Sequence, residues 1–141
     1  LFIGFIPFAP GTFGSLPGIF LAYVLNSVSW LYCLFFIAAF FFISVYCSSR
    51  AAFLLGADDP GQVVIDEALG MTVSLLWIKI DPLSVIVAFI LFRVLDILKP
   101  YPIYRLETVL EGGIGIVADD LAAGIIANIL TRPVYWGLHA W

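Results

Sequence analysis

The chain has 141 residues, 63% hydrophobic and 11% charged, where an average soluble domain carries about 25% charged residues. A soluble domain this small lacks the interior to hide so much apolar surface, so the composition excludes a water-soluble globule and indicates a membrane protein. A net charge of −4, with no cluster of Lys and Arg, argues against nucleic acid as a partner.

The length predicts a single domain over residues 1–141. The chain opens on Leu1 rather than Met, so a short preceding piece is expected; no basic segment or cleavage site of a signal peptide is visible. Pro10-Gly11-Thr12 leads into a first predicted helix from about Ser15 to Leu25, which stops at Asn26-Ser27. A second helix is predicted over Trp30 to Arg50. From Leu16 to Ser49 there is no charged residue, a run longer than the roughly 20 residues of a bilayer span. Cys33 and Cys47 fall in this run and are expected to be buried small hydrophobes, with neither a disulfide framework nor a zinc site suggested. Gly56-Ala57-Asp58-Asp59-Pro60-Gly61 reads as a loop. The third helix is predicted from about Ile65 to Ile80. Asp81-Pro82 opens the fourth, which ends near Leu98 before Lys99-Pro100-Tyr101-Pro102. The fifth begins after Gly112-Gly113 and ends before Arg132-Pro133. The single His, His139, is expected to have an interfacial structural role.

Strand-like alternation is absent, and irregular backbone facing lipid is too costly. The fold class expected is therefore all-α: a polytopic membrane helical bundle of about five helices, some short or re-entrant. If each helix crosses once, segments 10–15, 50–67 and 96–120 share one face, and 26–29, 79–82 and the C-terminus share the other. Arg50, Lys99 and Arg105 fall on the first face, Lys79 and Arg132 on the second. The positive-inside rule then makes the first face cytoplasmic.

Nearly every unusual polar residue lands on that face. Asp66-Glu67 opens the third helix, where an ordinary explanation is an acidic pair favoured by the helix dipole. Gly70 and Ser74 continue the Asp66 stripe, however, and a small-residue stripe packs against another helix. Arg93, Asp96 and Lys99 recur every three residues, so they lie on roughly one face. They form either a self-satisfied ion-pair ladder or a cationic pair for phosphate with a metal-binding carboxylate between them. Asp119-Asp120 interrupts an apolar helix, where an Asp costs about 2.5–3.5 kcal/mol at the membrane centre. Gly115, Asp119 and Ala123 share one stripe and Asp120 and Gly124 another, so both acids can face the bundle interior. Pro10-Gly11-Thr12-Phe13-Gly14-Ser15 is either a turn with Thr12 or Ser15 as helix cap, or a cradle of N–H and hydroxyl groups for phosphate.

Asp66, Glu67, Asp96, Asp119 and Asp120 bring five negative charges to one face, and Arg93 and Lys99 return two. The uncompensated remainder calls for a counter-ion. Hard divalent cations with oxygen ligands meet that need, and Mg²⁺ is the usual one beside phosphate. It would activate water and neutralise charge on phosphoryl oxygens.

Four elements in series resemble the phosphatidylglycerophosphatase A family: Pro10-Gly11-Thr12-Phe13-Gly14-Ser15; Asp66-Glu67-Ala68-Leu69-Gly70; Phe92-Arg93 through Asp96 and Lys99-Pro100-Tyr101-Pro102-Ile103; and Gly112-Gly113-Ile114-Gly115-Ile116 through Asp119-Asp120 and Ala123-Gly124. The resemblance spans about residues 7 to 130. It implies a Mg²⁺-dependent enzyme of the bacterial inner membrane that removes the terminal phosphate of phosphatidylglycerophosphate, a phospholipid, to leave phosphatidylglycerol. Carried over by position, Asp66, Glu67, Asp96, Asp119 and Asp120 would be metal ligands or catalytic acids and bases. Arg93 and Lys99 would hold the phosphate, supported by Thr12 and Ser15 with Gly11 and Gly14 of the same segment. Homo-oligomerisation stays open. The rivals are another Mg²⁺-dependent lipid phosphoryl-transfer enzyme and a secondary transporter with intramembrane carboxylates. A transporter would more often show inverted repeats and a midplane site.

Overall fold

The computed structural model describes residues 9–57, 61–110 and 112–139. Asp58-Asp59-Pro60 of the expected loop and the side chain of His139 lie outside the described residues. Six helices follow in order, α1 (Pro10–Leu25), α2 (Trp30–Leu55), α3 (Ile65–Ser74), α4 (Pro82–Leu98), α5 (Ile103–Val109) and α6 (Gly113–His139), and no strand occurs among the described residues. α2, with mean hydropathy 2.2, and α6 over Gly113–Gly137, with mean hydropathy 1.7, are long and apolar enough to cross a membrane. The chain is an all-helical membrane bundle.

Four of the ten expected helix ends fall elsewhere in the structure, and both ends of α4 stand as expected. α1 starts at Pro10 rather than Ser15, because a proline's fixed φ suits the first helical position and its missing N–H is no loss there. Thr12 and Ser15 are therefore not caps; Ala9, with φ 49°, holds that place without a side-chain bond. α2 runs past Arg50 to Leu55 and stops at Gly56, whose φ of 64° suits glycine at a helix end. α3 stops at Ser74, and the chain continues as turns rather than helix. α5 is a seven-residue helix beyond the five expected from the sequence. α6 continues through Pro133. Cys33 is buried as expected, but Cys47 is exposed on α2.

Two apolar clusters hold the bundle. Ala22, Met71, Leu75, Ala88, Phe92, Ile103, Ala123 and Ala127 pack α1, α3, α4, α5 and α6 together. Leu25, Cys33, Leu69, Val73, Leu76 and Val117 join α2 to α1, α3 and α6. Close approaches give the directions of the chain. A Cβ on Gly18 of α1 would strike the Ala68 carbonyl of α3, and one on Gly113 of α6 would strike Ser49 near the end of α2. Further on, Asn26 meets the turn after α3, and Tyr135 donates to Asp81. α1, α3 and α6 thus start at one end of the bundle, where α2 and α4 finish. α2 leaves most of its surface uncovered, with Trp30, Phe35, Phe42 and Phe53 exposed.

Candidate active site

The end where α3 and α6 begin carries the acids. A Cβ on Gly70 would lie 2.6 Å from the Asp120 carbonyl and 2.6 Å from the Phe92 ring, and one on Gly124 would strike the backbone of Gly70. Only glycine at both positions lets α3 and α6 cross so closely, and this contact brings Asp66 beside Asp120. One oxygen each of Asp66, Glu67 and Asp120 lies within 4.8 Å of the others. Asp66 and Asp120 are each 5% exposed, and Glu67 Oε2 is buried with no hydrogen-bond partner. Asp66 also accepts a 3.0 Å bond from the Glu67 backbone N–H.

The other two acids are each paired with a basic side chain. Asp96 accepts from Arg93 Nη1 at 2.6 Å, and its charge acts on both Glu67 and Asp120. Asp119, 3% exposed, pairs through Oδ2 with Lys99 Nζ at 2.5 Å and accepts the Asp120 N–H through Oδ1 at 2.9 Å. With Asp96 matched by Arg93 and Asp119 by Lys99, the uncompensated negative charge falls on Asp66, Glu67 and Asp120. None of those three makes an ion pair among the described residues. The ladder, one of the two readings of Arg93, Asp96 and Lys99, is therefore split: Lys99 reaches across to α6. Asp66 and Glu67 stand on α3, outside the two helices that are long and apolar enough to cross a membrane. Burial, then the charge of Glu67, holds the Asp66 carboxyl well above the usual carboxylate range.

The glycine-rich segment contributes less than its sequence suggested. It is the first turn of α1, not a loop. Ser15 is fully buried and donates to the Gly11 carbonyl at 2.8 Å. Gly14 faces away from the acids, where its missing Cβ leaves room for Val64. Gly11 does reach the site, since a Cβ there would lie 2.5 Å from Glu67 Oε1 and 2.8 Å from Arg93 Nη1. Thr12 follows it, half-buried, with its N–H bonded to the Ala9 carbonyl.

One residue that supports the site escaped the sequence reading. Asn128 donates to the carbonyls of Val73, Ser74 and Leu76 at 2.9–3.1 Å, which closes the open end of α3 onto α6. Its signal was present: Asp120, Gly124 and Asn128 recur every four residues along one stripe of α6.

Fold and site together define the class: an all-helical membrane bundle with, at one end, a buried acidic centre beside two acid–base pairs. The family model described as Phosphatidylglycerophosphatase A matches residues 1–135, and the chain belongs to that family. The Escherichia coli K12 protein named phosphatidylglycerophosphatase A is 35% identical over 98% of this chain and 79% of its own length. The Haemophilus influenzae protein of the same name is 39% identical over 96% of this chain and 85% of its own. A Bacteroides thetaiotaomicron protein, provisionally named a phosphatidylinositol-3-phosphatase, is 34% identical over 94% of this chain and 87% of its own. No solved structure matches. The chain is an enzyme of the phosphoric monoester hydrolase class.

Proposed function

We propose that this enzyme hydrolyses phosphatidylglycerophosphate to phosphatidylglycerol and inorganic phosphate, with Mg²⁺, at the cytoplasmic face of a bacterial inner membrane. The observation that carries the reading is the grouping of Asp66, Glu67 and Asp120 beside two cations that are each tied to another acid. The donor set is all oxygen, and Glu67 Oε2 is buried without a partner, so the residues fit a hard divalent cation. Held by these three carboxylates, Mg²⁺ would supply charge neutralisation at the phosphoryl oxygens and make water a better nucleophile.

The chain's own groups supply the rest. Asp96 keeps the Arg93 guanidinium beside Gly11 and Glu67, where its planar fork suits two phosphoryl oxygens. The start of α1 adds a positive dipole end near the same point. Water attacks phosphorus and gives its proton to a carboxylate of the group. The bond from phosphorus to the glycerol oxygen breaks, and that oxygen takes up the proton which the carboxylate received from water. The lipid's acyl chains remain in the bilayer beside the apolar helices. The relative named for a phosphoinositide favours a second reading, hydrolysis of another lipid phosphate monoester.

Phosphate release by the purified protein in detergent tests both readings, with Mg²⁺ or with EDTA, on phosphatidylglycerophosphate and on phosphatidylinositol 3-phosphate. Mg²⁺-dependent release from the first substrate, lost in Asp120→Asn, is expected. Release only from the phosphoinositide would replace the proposed substrate, and release undiminished by EDTA would remove the metal.

A further inference from the structure

α1 and α2 meet near the turn that joins them, where Leu25 and Cys33 share an apolar cluster. Elsewhere the two helices scarcely touch, although α3 packs against both. The side of α1 that borders this gap carries Gly14, Pro17 and Leu21, at the spacing of one helical stripe. Glycine has no side chain and proline a short one, so α1 leaves the space unfilled. The result is a cleft of about 250 Å³, walled by these three residues and by Phe40 of α2, and floored by Val64 and Ile65 where α3 starts. Pro17, Leu21 and Phe40 are only half-buried, which leaves the cleft open at the side. Leu21, Val64 and Ile65 join neither of the two apolar clusters.

The side chains that line the cleft are all apolar, and a charged or strongly polar group placed there would lose its hydration without a partner. Its occupant is therefore hydrocarbon. The near end adjoins the acids, since Ile65 precedes Asp66 in the chain. Gly14 lies one turn from Gly11, where an added Cβ would stand 2.5 Å from Glu67 Oε1 and 2.8 Å from Arg93 Nη1. Leu21 is about 15 Å further along α1 than Gly11, so the cleft runs from beside the acids into the apolar depth of the bundle.

We propose that this cleft receives one acyl chain of the lipid whose phosphate binds at the acids. The inference rests on the lipid-phosphatase reading above and adds the element that tells a membrane lipid from a soluble phosphate monoester. In phosphatidylglycerophosphate, two glycerol units and a phosphodiester separate the terminal phosphate from the acyl chains and supply the tether between the two places. Phosphate and chain then bind as linked ligands, each raising the local concentration of the other.

Labelling tests the assignment without relying on turnover. Phosphatidylglycerophosphate with a diazirine in one acyl chain is irradiated with the wild-type protein in phosphatidylcholine nanodiscs, and adducts are mapped by mass spectrometry. Adducts are expected at Leu21 and Phe40, whereas phosphatidylcholine with the same diazirine should label the exposed side of α2 at Phe35 and Phe42. Leu21→Trp, which fills the cleft, is expected to raise KM roughly tenfold on a dioleoyl substrate and to change it less than about twofold on a dihexanoyl one. Ile90→Trp, on the exposed side of α4, is the control and should alter neither. Mn²⁺ in place of Mg²⁺, read by electron paramagnetic resonance, should bind Leu21→Trp as it binds wild type, because the acids are untouched.

Identical labelling by the two probes would give the cleft to bulk lipid and overturn the proposal. So would protection of Leu21 and Phe40 from both probes, the result expected if a second copy of the chain covered the cleft. Equal rises in KM on the long-chain and short-chain substrates would mark Leu21 as a residue that acts by packing alone, and would overturn it too. Should Leu21→Trp fail to fold, the labelling of the wild type decides alone. A wild type labelled in the cleft that releases no phosphate from phosphatidylglycerophosphate would end that substrate reading and leave the chain-binding assignment standing.

Discussion

The backbone carbonyls released where α3 ends belong to buried residues, Val73, Ser74, Leu75, Leu76 and Ile78, and need partners. Two asparagine side chains meet the need. Asn26 donates to Leu75 and Ile78 at 3.1 and 3.0 Å and accepts from the Trp77 N–H at 2.7 Å, while Asn128 serves Val73, Ser74 and Leu76. Arg132 adds a 3.3 Å bond to Leu76 and braces Asn128 Oδ1 at 3.1 Å. A buried carbonyl left without a partner costs about 1–3 kcal/mol. Asn128→Ala is therefore expected to destabilise the protein by roughly 2–3 kcal/mol, seen as a lower unfolding temperature in detergent. Mn²⁺ affinity should change little, because Asn128 lies about two helical turns from Asp120. An unaltered unfolding temperature would mean that other groups satisfy those carbonyls. At this scale the acids were legible in the sequence, since a charge inside an apolar helix demands a partner. Their division was not, because spacing within one helix cannot say that Lys99 crosses to Asp119 rather than staying with Asp96.

The element that sets the site is the crossing of α3 and α6, and it depends on Gly70 and Gly124. A methyl group at Gly70 would press on the Asp120 carbonyl and the Phe92 ring, and a packed backbone cannot yield as a flexible side-chain tip can. Gly70→Ala is expected to cost about 1–3 kcal/mol of stability. It should also weaken Mn²⁺ binding, because spreading the helices parts Asp66 from Asp120. Gly61→Ala is the control, with nothing within 4 Å of the added carbon; equal losses in both variants would refute the crossing argument. Small-residue stripes made this contact partly readable from sequence. Helix ends were less so. Apolar residues run on from Ser74 to Ile78, and composition alone does not reveal that asparagines from α1 and α6 permit a break there. Proline misled in the opposite sense at Pro133, taken as a stop, although α6 continues and is anchored beyond it by the Tyr135 bond to Asp81.

At the scale of the molecule, every helix that starts or ends near the acids does so at one end, opposite Asn26, Trp77 and Asp81. A bilayer-spanning bundle so built presents its acidic centre to a single compartment. The excess of Arg50, Lys99 and Arg105 at that end favours the cytoplasm. Gln62, between α2 and α3, is exposed at the acidic end, and Ser27, between α1 and α2, is exposed at the other. In a background with Cys33→Ala and Cys47→Ala, Ser27→Cys in intact spheroplasts should react with a membrane-impermeant maleimide. Gln62→Cys should react only after the membrane is opened. The reverse pattern would turn the site to the outer face, where a lipid phosphate made in the inner leaflet would have to flip before hydrolysis. Labelling of both positions without permeabilisation would mean that the bundle does not separate its two ends across the bilayer, and the charge argument for its orientation would fail with it.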